Sequence, residues 1–227
     1  MKKFMMFSLL GLFFVSCSSD DSGSGPELVS SPDAKAAYDN SNFGIYKGVF
    51  VGSSGVVFID INNNGALTAT MNIDGTTHNF TTTETTTEGS AINGLTFTSG
   101  SMSFDFNVDN TGDSPYLTNM NFPGHPNADV YLLKEYSDAL VECYKGTFSG
   151  DDSGVFNLII SDGEIYGLAK SDGDDSALEI DGSVTGSNIS GTFENGGFVG
   201  TKSGNSVSGT WQNIANESGN FSGQRKL

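Results

Sequence analysis

The chain has 227 residues, of which 10 are lysine or arginine and 27 are aspartate or glutamate, giving a formal net charge of −17. A negative charge of this size repels phosphate backbones and anionic lipid headgroups, so the composition disfavours nucleic-acid binding and direct electrostatic membrane binding. It is typical of a surface that keeps a secreted protein in solution, and it leaves cations as partners to consider.

The N-terminal segment has the organisation of a secretory signal peptide. Two lysines precede an almost wholly apolar stretch, Phe4–Val15, which is too short to span a bilayer as a helix. Phe14–Cys17 resembles the lipobox of bacterial lipoproteins, although Phe14 stands where leucine is common. The resemblance implies that residues 1–16 are a removed signal peptide and that Cys17 is acylated and anchors the protein to a membrane. The alternative is an ordinary cleaved signal peptide with an incidental cysteine.

Residues 17–41 are predicted to form the lipidated cysteine and a flexible tether. Ser18–Asp21 resembles the short acidic signal that directs some Gram-negative lipoproteins to the outer face of the outer membrane. Serine, glycine, aspartate and proline dominate the segment and cannot bury enough apolar surface to offset the entropy lost on ordering. A helical turn is predicted within Asp33–Tyr38, with Ser31 or Asp33 as its cap. We therefore expect a lipid-anchored protein of the outer membrane that faces the cell exterior.

An internal repeat organises the rest of the chain. Tyr46–Gly52 (YKGVFVG) recurs as Tyr144–Gly150 (YKGTFSG), at an offset of 98 residues. The similarity continues downstream, where both copies carry a glycine-containing turn and an apolar run. Two related units are predicted, at residues 42–136 and 137–227, and their size suits small domains.

Within each unit the apolar residues alternate with polar ones, which is the period of a β-strand. The second unit contains eight such runs, separated by short turns such as Asp162-Gly163 that join antiparallel neighbours. The runs are residues 143–149, 155–161, 164–170, 177–185, 189–194, 197–202, 206–212 and 219–225. The sequence therefore predicts an all-β protein of two tandem antiparallel up-and-down meanders, each a small eight-stranded barrel. An open twisted sheet or a sandwich is the alternative architecture.

Glycines fall inside several of these strands. Gly191, Gly200 and Gly209 lie between larger residues of the predicted inward face. Since glycine weakens a strand unless it has a purpose there, these three are expected to relieve crowding inside a narrow barrel. The glycine–aromatic strands Ser190–Phe193 and Ser208–Trp211 are similar to strands of avidin-like and lipocalin-like barrels and of the barrel modules in bacterial surface lipoproteins. That resemblance implies an architecture and carries no binding residue over to this chain.

Motifs for catalysis or for a cofactor are missing from the sequence. His78 and His125 are the only histidines and have no zinc-site spacing, so both are predicted to be surface residues. With Cys17 lipidated, Cys143 has no disulfide partner, and it is predicted to be a small buried apolar group. We expect no enzyme and no cofactor.

Calcium is the one metal that the sequence raises. Asp172, Asp174 and Asp175 place hard oxygen ligands in one loop, and Asp151-Asp152 lies in another. The spacing does not follow the EF-hand pattern, because no glycine and no glutamate stand at the required positions. Solvated acidic turns are the alternative interpretation.

A non-enzymatic binding role is the function that anchor, tether and repeat favour. The ligand would be an extracellular glycan, a protein or a small apolar molecule. An open barrel mouth would be lined by aromatic side chains, for which Tyr144, Phe148, Phe193 and Trp211 are the candidates. A structural or accessory spacer role in the cell envelope is the alternative, and an enzyme would need clustered polar groups in a cleft.

The anchor is directly testable. In a Cys17→Ala variant the acyl chains have no attachment site, so we expect the protein to leave the membrane fraction for the soluble fraction. Immunoblotting of fractionated cells measures the change, and Ser24→Ala serves as a control that leaves the lipobox and the acidic signal unchanged. Retention of the Cys17→Ala protein in the membrane fraction would contradict the anchor.

Overall fold

The structure is a computed structural model and describes residues 28–227. The predicted signal peptide, Cys17 and the acidic signal Ser18–Asp21 lie outside the described residues. The described chain folds into two antiparallel eight-stranded sheets, one after the other, with a single short 3-10 helix at Ala36–Tyr38. The all-β prediction is confirmed.

The first unit is a nearly closed sheet. Its strands are β1 Gly44–Val51, β2 Gly55–Ile61, β3 Leu67–Ile73, β4 Thr76–Thr81, β5 Ile92–Ser99, β6 Met102–Val108, β7 Tyr116–Asn121 and β8 Asp129–Glu135. Their spatial order is β7-β6-β5-β4-β3-β2-β1-β8, so β7 and β8 form the two edges. β4 and β5 meet at one residue pair, Thr81 with Thr98.

The connection between β7 and β8 explains why the first sheet does not close. This segment contains Pro123 and Pro126, which have no backbone N–H to donate to a neighbouring strand. Phe122 and Ala128 of the same segment are buried in the core of the unit. The segment therefore covers the gap with side chains where strand pairing is absent.

The second unit is a closed barrel. Its strands are β9 Glu142–Gly150, β10 Gly154–Ser161, β11 Glu164–Ser171, β12 Leu178–Thr185, β13 Asn188–Phe193, β14 Gly196–Ser203, β15 Ser206–Asn213 and β16 Ser218–Arg225. Each strand pairs with the next in the chain, and β16 pairs with β9 to close the ring. The eight predicted runs are confirmed, with boundaries that differ by at most one residue.

The repeated motif opens both units in the same way. Tyr46 in β1 and Tyr144 in β9 are both fully buried in the core of their unit. β1 lies between β2 and β8, and β9 lies between β10 and β16, so the first strand of each unit joins its second and last strands. The two units therefore share one strand order.

Glycines set the packing inside the closed barrel. A Cβ atom on Gly146 would overlap the ring of Phe156, and a Cβ atom on Gly209 would lie 2.8 Å from the ring of Phe221. The ring of Phe198 lies over Gly191 in the same manner. Because eight strands enclose little room, the three rings fit only where the facing strands carry no side chain. The predicted role of the strand glycines is consistent with this packing.

The two units contact each other through a buried apolar junction. Val49 and Val56 of the first unit pack with Val141, Cys143 and Ile159 of the second. Burial raises the pKa of the Cys143 thiol to about 12, so this side chain is a neutral packing group at physiological pH. The outward face of β1 is covered by the second unit, which is why every residue of that strand is buried.

A buried ion pair lies beside the junction. The Lys47 ammonium donates to the Glu135 carboxylate at 2.6 Å, and both side chains are almost completely buried. Glu135 also accepts hydrogen bonds from the backbone N–H groups of Asp33 and Val141. A buried carboxylate with three donors is satisfied, and removing the Lys47 ammonium would leave the Glu135 charge buried without its main counter-ion.

Residues 28–41 correct the prediction of a flexible tether. The backbone N–H of Asp33 donates to Glu135 at 2.7 Å, and Arg225 donates to the backbone carbonyl of Val29 at 2.7 Å. These bonds fasten the segment to both units, through partners that are distant in sequence. The predicted caps are also wrong, because the 3-10 helix follows Lys35 and has no side-chain cap.

The part of the chain that the structure describes contains no helix with the length and apolar character of a membrane span.

The glycine packing makes a stability prediction. In Gly146→Ala, the new methyl group meets the Phe156 ring and the backbone oxygen of Ser222, so we expect a loss of about 1–3 kcal/mol in the free energy of unfolding. Urea denaturation followed by circular dichroism measures it. Thr147→Ala, at the exposed neighbouring position, should change stability by less than about 0.5 kcal/mol. Equal stability of the two variants would contradict the packing account.

Candidate functional site

A cavity opens at one end of the closed barrel. Its volume is about 160 Å³. Four connections surround its entrance, at residues 151–153, 172–177, 194–195 and 214–217, and we call them together the mouth. The residues that line the cavity are Phe148, Asp152, Phe156, Leu158, Ala169, Ser171, Leu178, Ile180, Phe193, Asn195, Phe198, Trp211, Asn213 and Phe221.

Aromatic rings form the deep part of this cavity. Phe221 meets Phe156 edge to face, with ring centroids 5.4 Å apart, and meets Phe198 in the same way at 5.8 Å. These are the three rings that pack against the strand glycines, so the barrel wall fixes their positions. Nearer the mouth, Phe148 and Trp211 are also edge to face, at 5.9 Å. The arrangement presents several ring faces and edges to one small space.

Polar side chains form the rim. The Asp152 carboxylate accepts hydrogen bonds from the Ser153 backbone N–H at 2.7 Å and from the Ser171 hydroxyl at 2.6 Å. Asn213 donates to the Glu217 carboxylate at 2.6 Å and accepts from the backbone N–H groups of Ala215 and Glu217. The rim residues are thus fixed by local bonds, while the wall below them is apolar.

Trp211 supplies an unused donor. Its indole Nε1 is buried and has no hydrogen-bond partner among the described residues. The nitrogen lies inside the barrel against Gly219, and a Cβ atom on that glycine would be 2.6 Å from it. A buried donor without a partner costs free energy, so a water molecule or a bound acceptor at this position would be stabilised.

The opposite end of the barrel is closed by charged side chains. Glu142 lies 3.0 Å from the Lys202 ammonium and 3.2 Å from the Arg225 guanidinium. The Tyr144 hydroxyl donates to the same carboxylate, and burial together with the Glu142 charge raises the pKa of this phenol. Arg225 also donates to the backbone oxygen of Leu227. These groups lie at the end of the barrel opposite the mouth and do not line the cavity.

The four predicted ligand residues separate into two groups. Phe148, Phe193 and Trp211 line the cavity, whereas Tyr144 is fully buried at the closed end and does not. The alternation of the strands indicates correctly that Tyr144 points inward, but not how deep along the barrel it lies. The deep ring residues Phe156, Phe198 and Phe221 are not among the predicted ligand residues, although all three lie on the inward face of predicted strands.

The predicted calcium ligands do not converge in the described chain. The Asp172 carboxylate accepts a hydrogen bond from the Ser153 hydroxyl, and the Asp175 carboxylate accepts one from the Asn127 amide. The backbone N–H of Asp174 donates to the Ser171 carbonyl. Across residues 28–227, no group of three or more histidine, cysteine, aspartate or glutamate side chains is arranged to hold a metal ion.

The two histidines lie apart from the cavity, in the first unit. Both are half-buried, and His125 lies 3.6 Å from the Asp74 carboxylate. Neither belongs to the cavity lining.

The comparisons with known proteins assign no family. No protein-family model matches the chain, and no curated protein matches it significantly.

Proposed function

We propose that the protein is a lipid-anchored binding protein that holds a small apolar ligand in the mouth of its second barrel. The observation that supports this function is the aromatic cavity, which is apolar inside and polar at its rim. Ligand sites in proteins commonly have this composition, with a few polar groups that orient the ligand. Eight-stranded barrels have interiors of the right size to hold one small ligand.

The size of the cavity limits the ligand. An apolar cavity of about 150 Å³ accepts a molecule such as benzene, and the cavity here is about 160 Å³. The buried part of the ligand is therefore a single ring or a short aliphatic chain, and any larger part must project through the mouth. Ligands of about eight non-hydrogen atoms rarely approach the limit of about 1.5 kcal/mol per atom, so we expect affinities in the micromolar to millimolar range.

The anchor and the location complete the proposal. Acylation at Cys17 would attach the chain to the outer membrane, and the signal-like Ser18–Asp21 would direct it to the outer face. Residues 28–41 would add little to the distance from the membrane, because they are bound to the two units. The anchor would then hold the barrels close to the membrane surface, where they meet extracellular ligands.

A structural spacer role is the second candidate. The interior of the first unit is filled by aromatic and aliphatic side chains, including Tyr46, Phe97 and Phe104. The apolar junction and the buried Lys47–Glu135 pair join that unit firmly to the second. These features favour a mechanical role for the first unit, which is compatible with binding by the second.

Ligand binding can be measured without a label, because Trp211 is the only tryptophan of the chain and lines the cavity. We expect saturable changes in its fluorescence when benzyl alcohol is added to the chain Ser18–Leu227, which contains every described residue. In Ala169→Phe the added ring occupies the cavity, and we expect the affinity to fall by at least about tenfold, or 1.4 kcal/mol.

The control is Ala66→Phe, which adds the same ring at an exposed position between β2 and β3. Circular dichroism verifies that both variants are folded. Absence of a saturable signal in the unmodified chain for benzyl alcohol and for its charged single-ring analogues, or equal affinity in Ala169→Phe, would overturn the proposed function in favour of the spacer role.

A further inference from the structure

The mouth of the second barrel is uniformly acidic. Its four connections carry seven carboxylates and no lysine, arginine or histidine. The seven are Asp151, Asp152, Asp172, Asp174, Asp175, Glu194 and Glu217. Like charges around a low-dielectric opening add to a negative potential there, which raises the local concentration of cations and lowers that of anions.

One of these carboxylates belongs to the cavity itself. Asp152 lines the cavity beside the aromatic residues and is half-buried. Both of its hydrogen-bond donors, the Ser153 backbone N–H and the Ser171 hydroxyl, are neutral. Among the salt bridges of residues 28–227 none involves Asp152. Its negative charge is therefore not compensated within the described protein.

Within residues 28–227, no salt bridge joins a basic side chain of the second unit to a carboxylate of the mouth. Lys202 and Arg225 are bound to Glu142 at the closed end of the barrel. Lys170, the basic residue nearest to the mouth in sequence, donates to the backbone oxygens of Asp175 and Asn127 on the outside of the barrel. The mouth therefore keeps an excess of negative charge, with seven carboxylates against the one ammonium of Lys170 beside it.

We propose that the ligand of this cavity is a cation: an alkyl or aryl ammonium compound whose apolar part enters the cavity while its charged group stays beside Asp152. The inference rests on the proposed function and specifies its ligand class. Ring faces such as those of Phe148 and Trp211 attract a cation as well as apolar groups. The aromatic wall and the acidic rim therefore both favour a ligand that carries an apolar part and a positive charge. Fatty-acid anions, which suit an apolar cavity equally well, are repelled at this mouth.

Three single-ring compounds that differ in charge test the inference. Benzylamine is cationic at pH 7, benzyl alcohol is neutral and benzoate is anionic, while the ring is the same. With the chain Ser18–Leu227 and Trp211 fluorescence, we expect benzylamine to bind about tenfold more tightly than benzoate at low salt, with benzyl alcohol between them. The ratio should shrink in about 1 M salt, because ions screen the rim charges.

A matched pair of variants locates the effect. Asp152→Asn removes the cavity carboxylate, and we expect the affinity for benzylamine to fall several-fold. Asp162→Asn makes the same change in the exposed turn between β10 and β11, at the closed end of the barrel, and should leave the affinity for benzylamine unchanged. Equal losses in the two variants would assign the effect to net charge and overturn the role of the cavity carboxylate.

The outcomes separate this inference from the function on which it rests. If benzyl alcohol and benzoate bind as tightly as benzylamine, the cavity binds apolar ligands, but the preference for cations is wrong and the acidic mouth serves only solubility. If none of the three compounds gives a saturable signal, the proposed function and the ligand class are both overturned.

Discussion

The limited interior of an eight-stranded barrel is the constraint on which the second unit depends. Three phenylalanine rings occupy its middle, and each of them needs a facing strand position without a side chain. Gly146, Gly191 and Gly209 supply such positions. Below the rings, Tyr144 and aliphatic side chains fill the closed end, while the space above them, toward the mouth, is the cavity. The same packing of rings against glycines therefore fills the lower part of the barrel and forms the floor of the cavity.

The two units share a strand order but differ in what their interiors contain. The first unit is filled and has a gap between its edge strands, which Phe122 and Ala128 cover. It also carries buried charged groups, among them Lys134, whose ammonium donates to backbone oxygens of Tyr38, Ser41 and Thr111. Burial lowers the pKa of this lysine, so the three acceptors are needed to keep the charged form stable. The first unit therefore packs against both the N-terminal segment and one face of the second barrel.

Local pattern in the sequence predicts most of this fold, and contacts between distant residues account for what it misses. Alternation and glycine spacing predict the eight strands of the second unit because each strand and turn is encoded within about ten residues. Residues 28–41 have the composition of a tether, which is what local pattern predicts for them. Their packing is not visible locally, because their partners, Glu135 and Arg225, lie far along the chain. For the site, alternation identifies which side chains point inward, but their depth depends on strand register. Phe148, Phe193 and Trp211 therefore line the cavity, whereas Tyr144, on the same inward face, lies at the closed end.

Ligand binding by the second barrel requires that the cavity at the mouth is open and that the aromatic rings below it are fixed. Xenon enters apolar cavities of this size and scatters strongly, so crystals of the chain Ser18–Leu227 under xenon pressure test it most directly. We predict a xenon atom among Phe148, Phe193 and Trp211, above the ring of Phe221. Electron density that shows these side chains collapsed into the space, with no xenon in the second barrel, would contradict the account.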